Sequence, residues 1–172
     1  MKNSNDLVSW SSKFACGIKI IDEQHKGLVM LVNDMFNHVT GNYAQEYNYF
    51  NKVIKEAVSY IKIHFATEEK IMLATNFDGY VEHKKKHELF VGNVVNNIYN
   101  FRFDKSYSLH SFTKFLKDWI LTHIAENDKK YFDYLRKMAT RKADGKLSIS
   151  LEDVHRKDVH RKDVNLREAK CA

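Results

Sequence analysis

Proline is absent from the 172 residues, and glycine occurs only 6 times. Strand-and-turn folds lean on both residues for punctuation, so a chain this poor in them favours long helices with few breaks. The 2 cysteines, Cys16 and Cys171, lie near opposite ends. Nothing in that placement suggests a disulfide framework or a thiolate metal site, and it fits reduced thiols in the cytoplasm. No window approaches the roughly 18 uninterrupted apolar residues that a membrane helix needs. The opening Met1 to Asp6 runs into Leu7, Val8 and Trp10 without the sustained apolar core of a secretory signal. The expectation is a cytoplasmic protein with no membrane partner.

What is present is a chain about one domain long, 44% hydrophobic and 29% charged, the balance of a folded globular protein. The net charge of +6 and the pI of 9.1 raise the question of nucleic acid. Distribution argues against it. From Thr140 to Ala172 nine Lys/Arg face six acids, a net +3, and the other +3 is spread over the rest. No helix carries an unbroken basic face with interleaved aromatics, so no nucleic-acid partner is expected.

Four apolar stripes with three-and-four spacing follow one another along the chain. The first holds Ile21, Leu28, Val29, Val32, Met35, Phe36 and Val39, and Gly41-Asn42 stops it. The second runs from about Ala44 to Ala74, with Val53, Ala57, Tyr60, Ile61 and Ile71 on its stripe. The third covers about Tyr80 to Phe103, and the fourth about Leu109 to Ala139. Long helices with short loops predict an all-α fold, an antiparallel up-down-up-down four-helix bundle over residues 1–139 with an N-terminal arm. Residues 140–172 read as a charged C-terminal tail, in which Val154–Asp158 (VHRKD) recurs at once as Val159–Asp163. A five-residue period does not match a helix, so the repeat makes no apolar stripe.

Each stripe also carries histidine or carboxylate. His25 lies on the first; His64 and Glu68 on the second; His83 and His87 on the third; His123 and Asp128 on the fourth. Residues four apart share a helix face, so His64/Glu68 and His83/His87 each present two donors in one direction. A single core histidine is commonly just hydrogen-bonded. Five histidines and two carboxylates converging on one interior are another matter, because each buried charge costs several kcal/mol unless it is compensated. Nitrogen and oxygen donors suit iron, copper, zinc or manganese. Five histidines with two bridging carboxylates are the inventory for two metal ions, with a position left open on at least one.

One spacing is irregular. His123 and Asp128 stand five apart, about 140° around a regular helix, which predicts a π-type irregularity between them. His38 and His110 fall away from the ligand level and read as solvent-facing, and His155 and His160 belong to the tail repeat. The run Lys84-Lys85-Lys86 reads as the outer face of the third helix.

These motifs together resemble the hemerythrins, in particular the single-domain bacterial ones. The matching elements are Trp10 before Gly17-Ile18, Ile21-Asp22-Glu23-Gln24-His25-Lys26, His64 to Glu68, His83 to His87, and Trp119-Ile120 through His123 to Asp128. The resemblance spans about Trp10 to Met138. It implies two non-haem iron ions with an oxo or hydroxo bridge. His83, His87 and His123 would hold one iron and His25 and His64 the other, with Glu68 and Asp128 bridging. Dioxygen would bind at the vacant position beside the two-histidine iron, and Trp119 and Ile120 would line its pocket.

The implied function is reversible dioxygen binding by a monomer, for storage, delivery or buffering, without catalytic turnover. Two other roles use the same centre: oxygen or redox sensing through a separate partner, and processing of nitric oxide or peroxide. Carboxylate-rich di-iron oxidases use Glu-x-x-His pairs in the bundle. The only such pair here is Glu152 to His155, in the tail, which favours binding over oxygen activation.

Overall fold

A computed structural model describes residues 6–141. Its helices are α1 (Lys19–Asn37), α2 (Tyr43–Ala74), α3 (Tyr80–Phe103), α4 (Leu109–Thr122) and α5 (Lys129–Arg141). A π-helical turn, His123–Asp128, joins α4 to α5 in one continuous rod. The four rods match the four stripes, with no strand among the described residues. The last helix ends at Arg141, and the tail from residue 142, with its repeat, His155, His160 and Cys171, lies outside the described residues.

Cross-helix bonds fix the directions. Tyr60 Oη donates to the Gln24 carbonyl (3.1 Å) and Tyr49 Oη to the Asp34 carboxylate (2.6 Å), so residue numbers rise on α1 as they fall on α2. Likewise His87 meets Glu69 and Arg102 meets Asn51, which sets α3 antiparallel to α2. The rod containing α4 closes the ring by packing on both α1 and α3. At the first of these crossings, Gly27 leaves room that a β-carbon would take from the Tyr60 hydroxyl. That is a close approach only glycine allows.

The loops explain the helix ends. The Asn42 side chain accepts from the Gln45 amide at the start of α2, and Ser108 does the same for Ser111 before α4. Gly41 takes φ +74° and Asn76 φ +52°, left-handed conformations that turn the chain after α1 and α2. Buried Glu46 reaches back to accept from the Thr40 and Gly41 amides, both at 2.8 Å. The N-terminal arm is fastened in two places. Asn33 and the Val8 backbone exchange two 2.9 Å hydrogen bonds, and the Asp22 carboxylate accepts from the Cys16 amide (2.6 Å) and the Gly17 amide (3.1 Å).

Two apolar clusters fill the interior. The larger includes Leu28, Val32, Phe50, Phe90, Phe101, Phe112, Leu116 and Ile120. The smaller, with Cys16, Ile21, Ile71, Met72, Tyr131, Phe132 and Leu135, gathers where α1 begins and α2 ends. Among the described residues no helix is long and apolar enough to cross a membrane.

Glu46 ties a loop to a helix through two charge-assisted bonds, each worth about 1.5–3 kcal/mol where no water substitutes. Glu46→Ala should therefore lower the unfolding free energy by roughly 1–3 kcal/mol in urea titrations, without changing helix content.

Candidate metal centre

All seven histidines and carboxylates carried by the stripes meet in the bundle interior, each between 0 and 5% exposed. The π turn makes this possible. Its one extra residue brings His123 and Asp128 to the same side of the rod, as their spacing predicts, and both are buried.

The two carboxylates organise the centre. Glu68 Oε2 lies 3.5, 3.3 and 3.8 Å from the Nε2 atoms of His83, His87 and His123. Its other oxygen, Oε1, lies 3.8 Å from both His25 Nε2 and His64 Nε2. Asp128 divides in the same way. Oδ1 faces His83 (3.3 Å) and His123 (3.0 Å), and Oδ2 faces His25 (3.4 Å). Each carboxylate therefore turns one oxygen to a three-histidine end and the other to a two-histidine end. At the former, His87 Nε2 stands 3.1 Å from His83 Nε2 and 3.0 Å from His123 Nε2, so three ring nitrogens converge on one region.

Outer nitrogens set the tautomers. His25 Nδ1–H donates to the Phe14 carbonyl (3.3 Å) and His87 Nδ1–H to the Glu69 carboxylate (3.0 Å). His64 Nδ1–H donates to Gln24 Oε1 (3.3 Å), whose orientation is fixed because Gln24 Nε2 donates to Thr67 Oγ1 (3.0 Å). With the proton outside, each Nε2 can offer its lone pair inward. Among the described residues, six of the seven buried side-chain atoms without a hydrogen-bond partner belong to the centre: His25 Nε2, His64 Nε2 and both oxygens of Glu68 and of Asp128. The seventh is the Tyr131 hydroxyl. Buried polar atoms are nearly always partnered, so this cluster fits metal cations. Two donor groups, each with ligand atoms within 4.8 Å of one another, share Glu68: Glu68, His83, His87 and His123, and His25, His64, Glu68 and Asp128.

Burial, opposed by Glu68 and Asp128 and aided by the nearby His25 and His123, pulls the His64 pKa down to about 4. His25 and His123 are buried too, but Asp128 and Glu68 outweigh that and raise both to about 9. Burial opposes the charge on Glu68, yet the histidines around it hold its pKa well below the ordinary range. Asp128 also resists burial and the like charge of Glu68, and His123 and His25 bring its pKa down. Two imidazolium rings thus balance two carboxylates when no cation does. Cys16 is free and buried, with its thiol pushed up by burial, and supplies no thiolate.

The two residues expected to line the ligand pocket, Trp119 and Ile120, both lie on α4. Trp119 stacks on His123 (4.3 Å between centroids, 15° between planes) and on Phe90, and Ile120 is buried in the larger cluster. Phe65 lies flat on His87 (3.8 Å, 5°). Nothing in the spacing singles out Phe65, Gln24, Glu69 or Asn127, although each adjoins a ligand in the sequence. The lysine run differs from its reading as plain outer face. Lys85 is exposed, but Lys84 reaches Glu69 (3.7 Å), and Lys86 donates to Asn127 Oδ1 (2.6 Å), beside His123. His38 and His110 are exposed, as their positions predict.

The model of the hemerythrin HHE cation binding domain matches residues 16–135. The chain belongs to the hemerythrin family. It is 34% identical over 128 residues to a bacteriohemerythrin of Pseudomonas aeruginosa, covering 74% of this chain and 80% of that one. A bacteriohemerythrin of Clostridium acetobutylicum is 28% identical over 126 residues, 72% of this chain and 98% of the relative. The crystal structure of a hemerythrin point mutant superposes with a TM-score of 0.65 at 26% identity, over 74% of this chain and 96% of that one. Hemerythrins are iron-bearing, oxygen-binding helical bundles, and the donor set here is of that kind.

A histidine whose pKa is raised on folding stabilises fully below its unfolded value and loses that contribution as pH passes the folded one. For His25 and His123 the window runs from 6.5 to about 9. The metal-free protein should lose thermal stability steadily across that window. Protein loaded with a divalent cation should hold a flatter Tm there, since the ion replaces the two protons.

Proposed function

We propose that this chain binds dioxygen reversibly at two iron ions, as a cytoplasmic oxygen store, delivery protein or buffer rather than an enzyme. The supporting observation is the division of each carboxylate between two unequal ends. His83, His87 and His123 would hold one iron and His25 and His64 the other, with Glu68 and Asp128 bridging. The two-histidine end has one nitrogen donor fewer, so an external ligand would enter there. Two ferrous ions in such a centre supply the two electrons that dioxygen takes up on binding and returns on release.

The protein's own groups do the rest. Phe14, Gln24 and Glu69 keep three Nε2 lone pairs directed inward. Phe65 and Trp119 cover His87 and His123, and the apolar clusters exclude water from a site where proton entry would promote loss of the bound ligand. Neutral imidazoles donate less charge than carboxylates. A five-histidine site therefore stabilises high-valent iron less than a carboxylate-rich one, which favours return of the ligand over its activation.

The test is to reconstitute the protein anaerobically, count iron, and follow the visible spectrum as oxygen is admitted and removed. About two irons per chain and a band that comes and goes with oxygen are the expected result. A band that forms once and decays to a ferric spectrum would instead favour sensing or turnover, with nitric oxide and peroxide assays deciding between them.

Ile120 precedes His123 by one turn and is 2% exposed. Ile120→Ser should speed autoxidation by admitting water and should cost about 2–5 kcal/mol of stability. An unchanged autoxidation rate in a folded variant would remove Ile120 from the pocket wall.

A further inference from the structure

One outer imidazole nitrogen of the centre, that of His87, meets a carboxylate, whereas His123 Nδ1 faces the neutral Asn127 amide nitrogen at 3.4 Å. At the two-histidine end, His25 donates to a backbone carbonyl and His64 to an amide oxygen, both neutral. At the three-histidine end, His87 Nδ1–H donates to the Glu69 carboxylate at 3.0 Å. Glu69 follows the bridging Glu68 on α2, and one position along a helix turns its side chain away from the interior toward α3. There its second oxygen meets Lys84 Nζ at 3.7 Å. Glu69 also borders a surface groove of about 330 Å³ with Lys62, Phe65 and His87, so this carboxylate is open on one side.

We propose that Glu69 is a positioning residue that fixes His87 in its Nδ1–H tautomer and loads the ring with negative charge, strengthening cation binding selectively at the three-histidine end. An anionic acceptor on Nδ1–H makes Nε2 a more basic donor than a neutral one does. Lys84 moderates the effect by balancing part of that charge. The two ends therefore differ in electron donation as well as in histidine count, and the iron with His83, His87 and His123 is the one biased toward the ferric state. The inference rests on the two-metal reading above.

The test uses the full chain and three variants. Glu69→Gln keeps an acceptor of the same shape without charge, Glu69→Ala removes both, and Lys84→Met removes the balancing cation. Cobalt(II) serves as the probe, titrated while the ligand-field absorption of bound ions is followed. Wild type should show two binding steps. Glu69→Ala should weaken one step by about 10–100-fold, Glu69→Gln should weaken it less, and the other step should stay unchanged in both.

The second readout is the midpoint potential of the iron-loaded protein. It should rise in Glu69→Gln and fall in Lys84→Met, opposite shifts that a purely structural role would not produce. Unchanged steps and potentials, equal weakening of both steps, or shifts of the same sign in both variants would overturn the proposal while leaving the metal centre standing. A wild type that binds neither two cobalt nor two iron ions would overturn the two-metal reading and this proposal together.

Discussion

Two carboxylates buried at the centre of a helical bundle constrain everything around them. Glu68 and Asp128 have no exposure, and no apolar packing compensates an isolated buried anion, whose desolvation costs several kcal/mol. The surrounding fold is arranged to answer that cost from both sides. Histidines come from every rod, and each carboxylate is divided between them. With cations in place, the negative charge and the inward lone pairs are matched at once. Without them, His25 and His123 hold protons against Asp128 and Glu68. The interior polarity would be a defect in an ordinary bundle, whereas here it is the reason for the bundle's shape.

Less regular parts of the chain serve the same constraint. The π turn is a local departure from helical geometry that gives the fourth rod two donors on one side. The N-terminal arm has little regular structure of its own, yet its fastening through Val8–Asn33 and Asp22 puts the Phe14 carbonyl on His25. Gly27 admits the Tyr60 hydroxyl to the Gln24 carbonyl, close to the amide that orients His64. Features distant in sequence thus end on outer imidazole nitrogens, and small changes in them bear on which way a lone pair points.

Much of this was legible in the sequence, for a definite reason. Helical periodicity is a local property, so the stripes located α2 and α3 within about a residue at both ends, and placed His25, His64, Glu68, His83, His87 and His123 on inward faces. The five-residue gap before Asp128 was informative because regular geometry could not accommodate it. Helical stretches such as Phe50, Ile54 and Phe65 also turned inward, and were harder to read because α2 buries a broader face than a single stripe. The partners of the outer nitrogens were not legible. Glu69 and His87 come from different helices, and only the packing of α2 on α3 sets which carboxylate meets which ring. Lys84 and Lys86 looked like solvated charge for the same reason.

The chain has 2 tryptophans, and the fold distributes them unequally about the centre. Trp119 lies against His123, at the three-histidine end. Trp10 sits on the arm, 5.8 Å from Phe14, whose carbonyl holds His25, and Lys26 Nζ lies 5.6 Å from its ring. Indole emission is sensitive to whatever stacks on the ring and to nearby charge. The molecule consequently carries two indoles in unlike surroundings, one on a ligand-site imidazole and one on the arm, so that replacing either with phenylalanine leaves the other to report on its own neighbours.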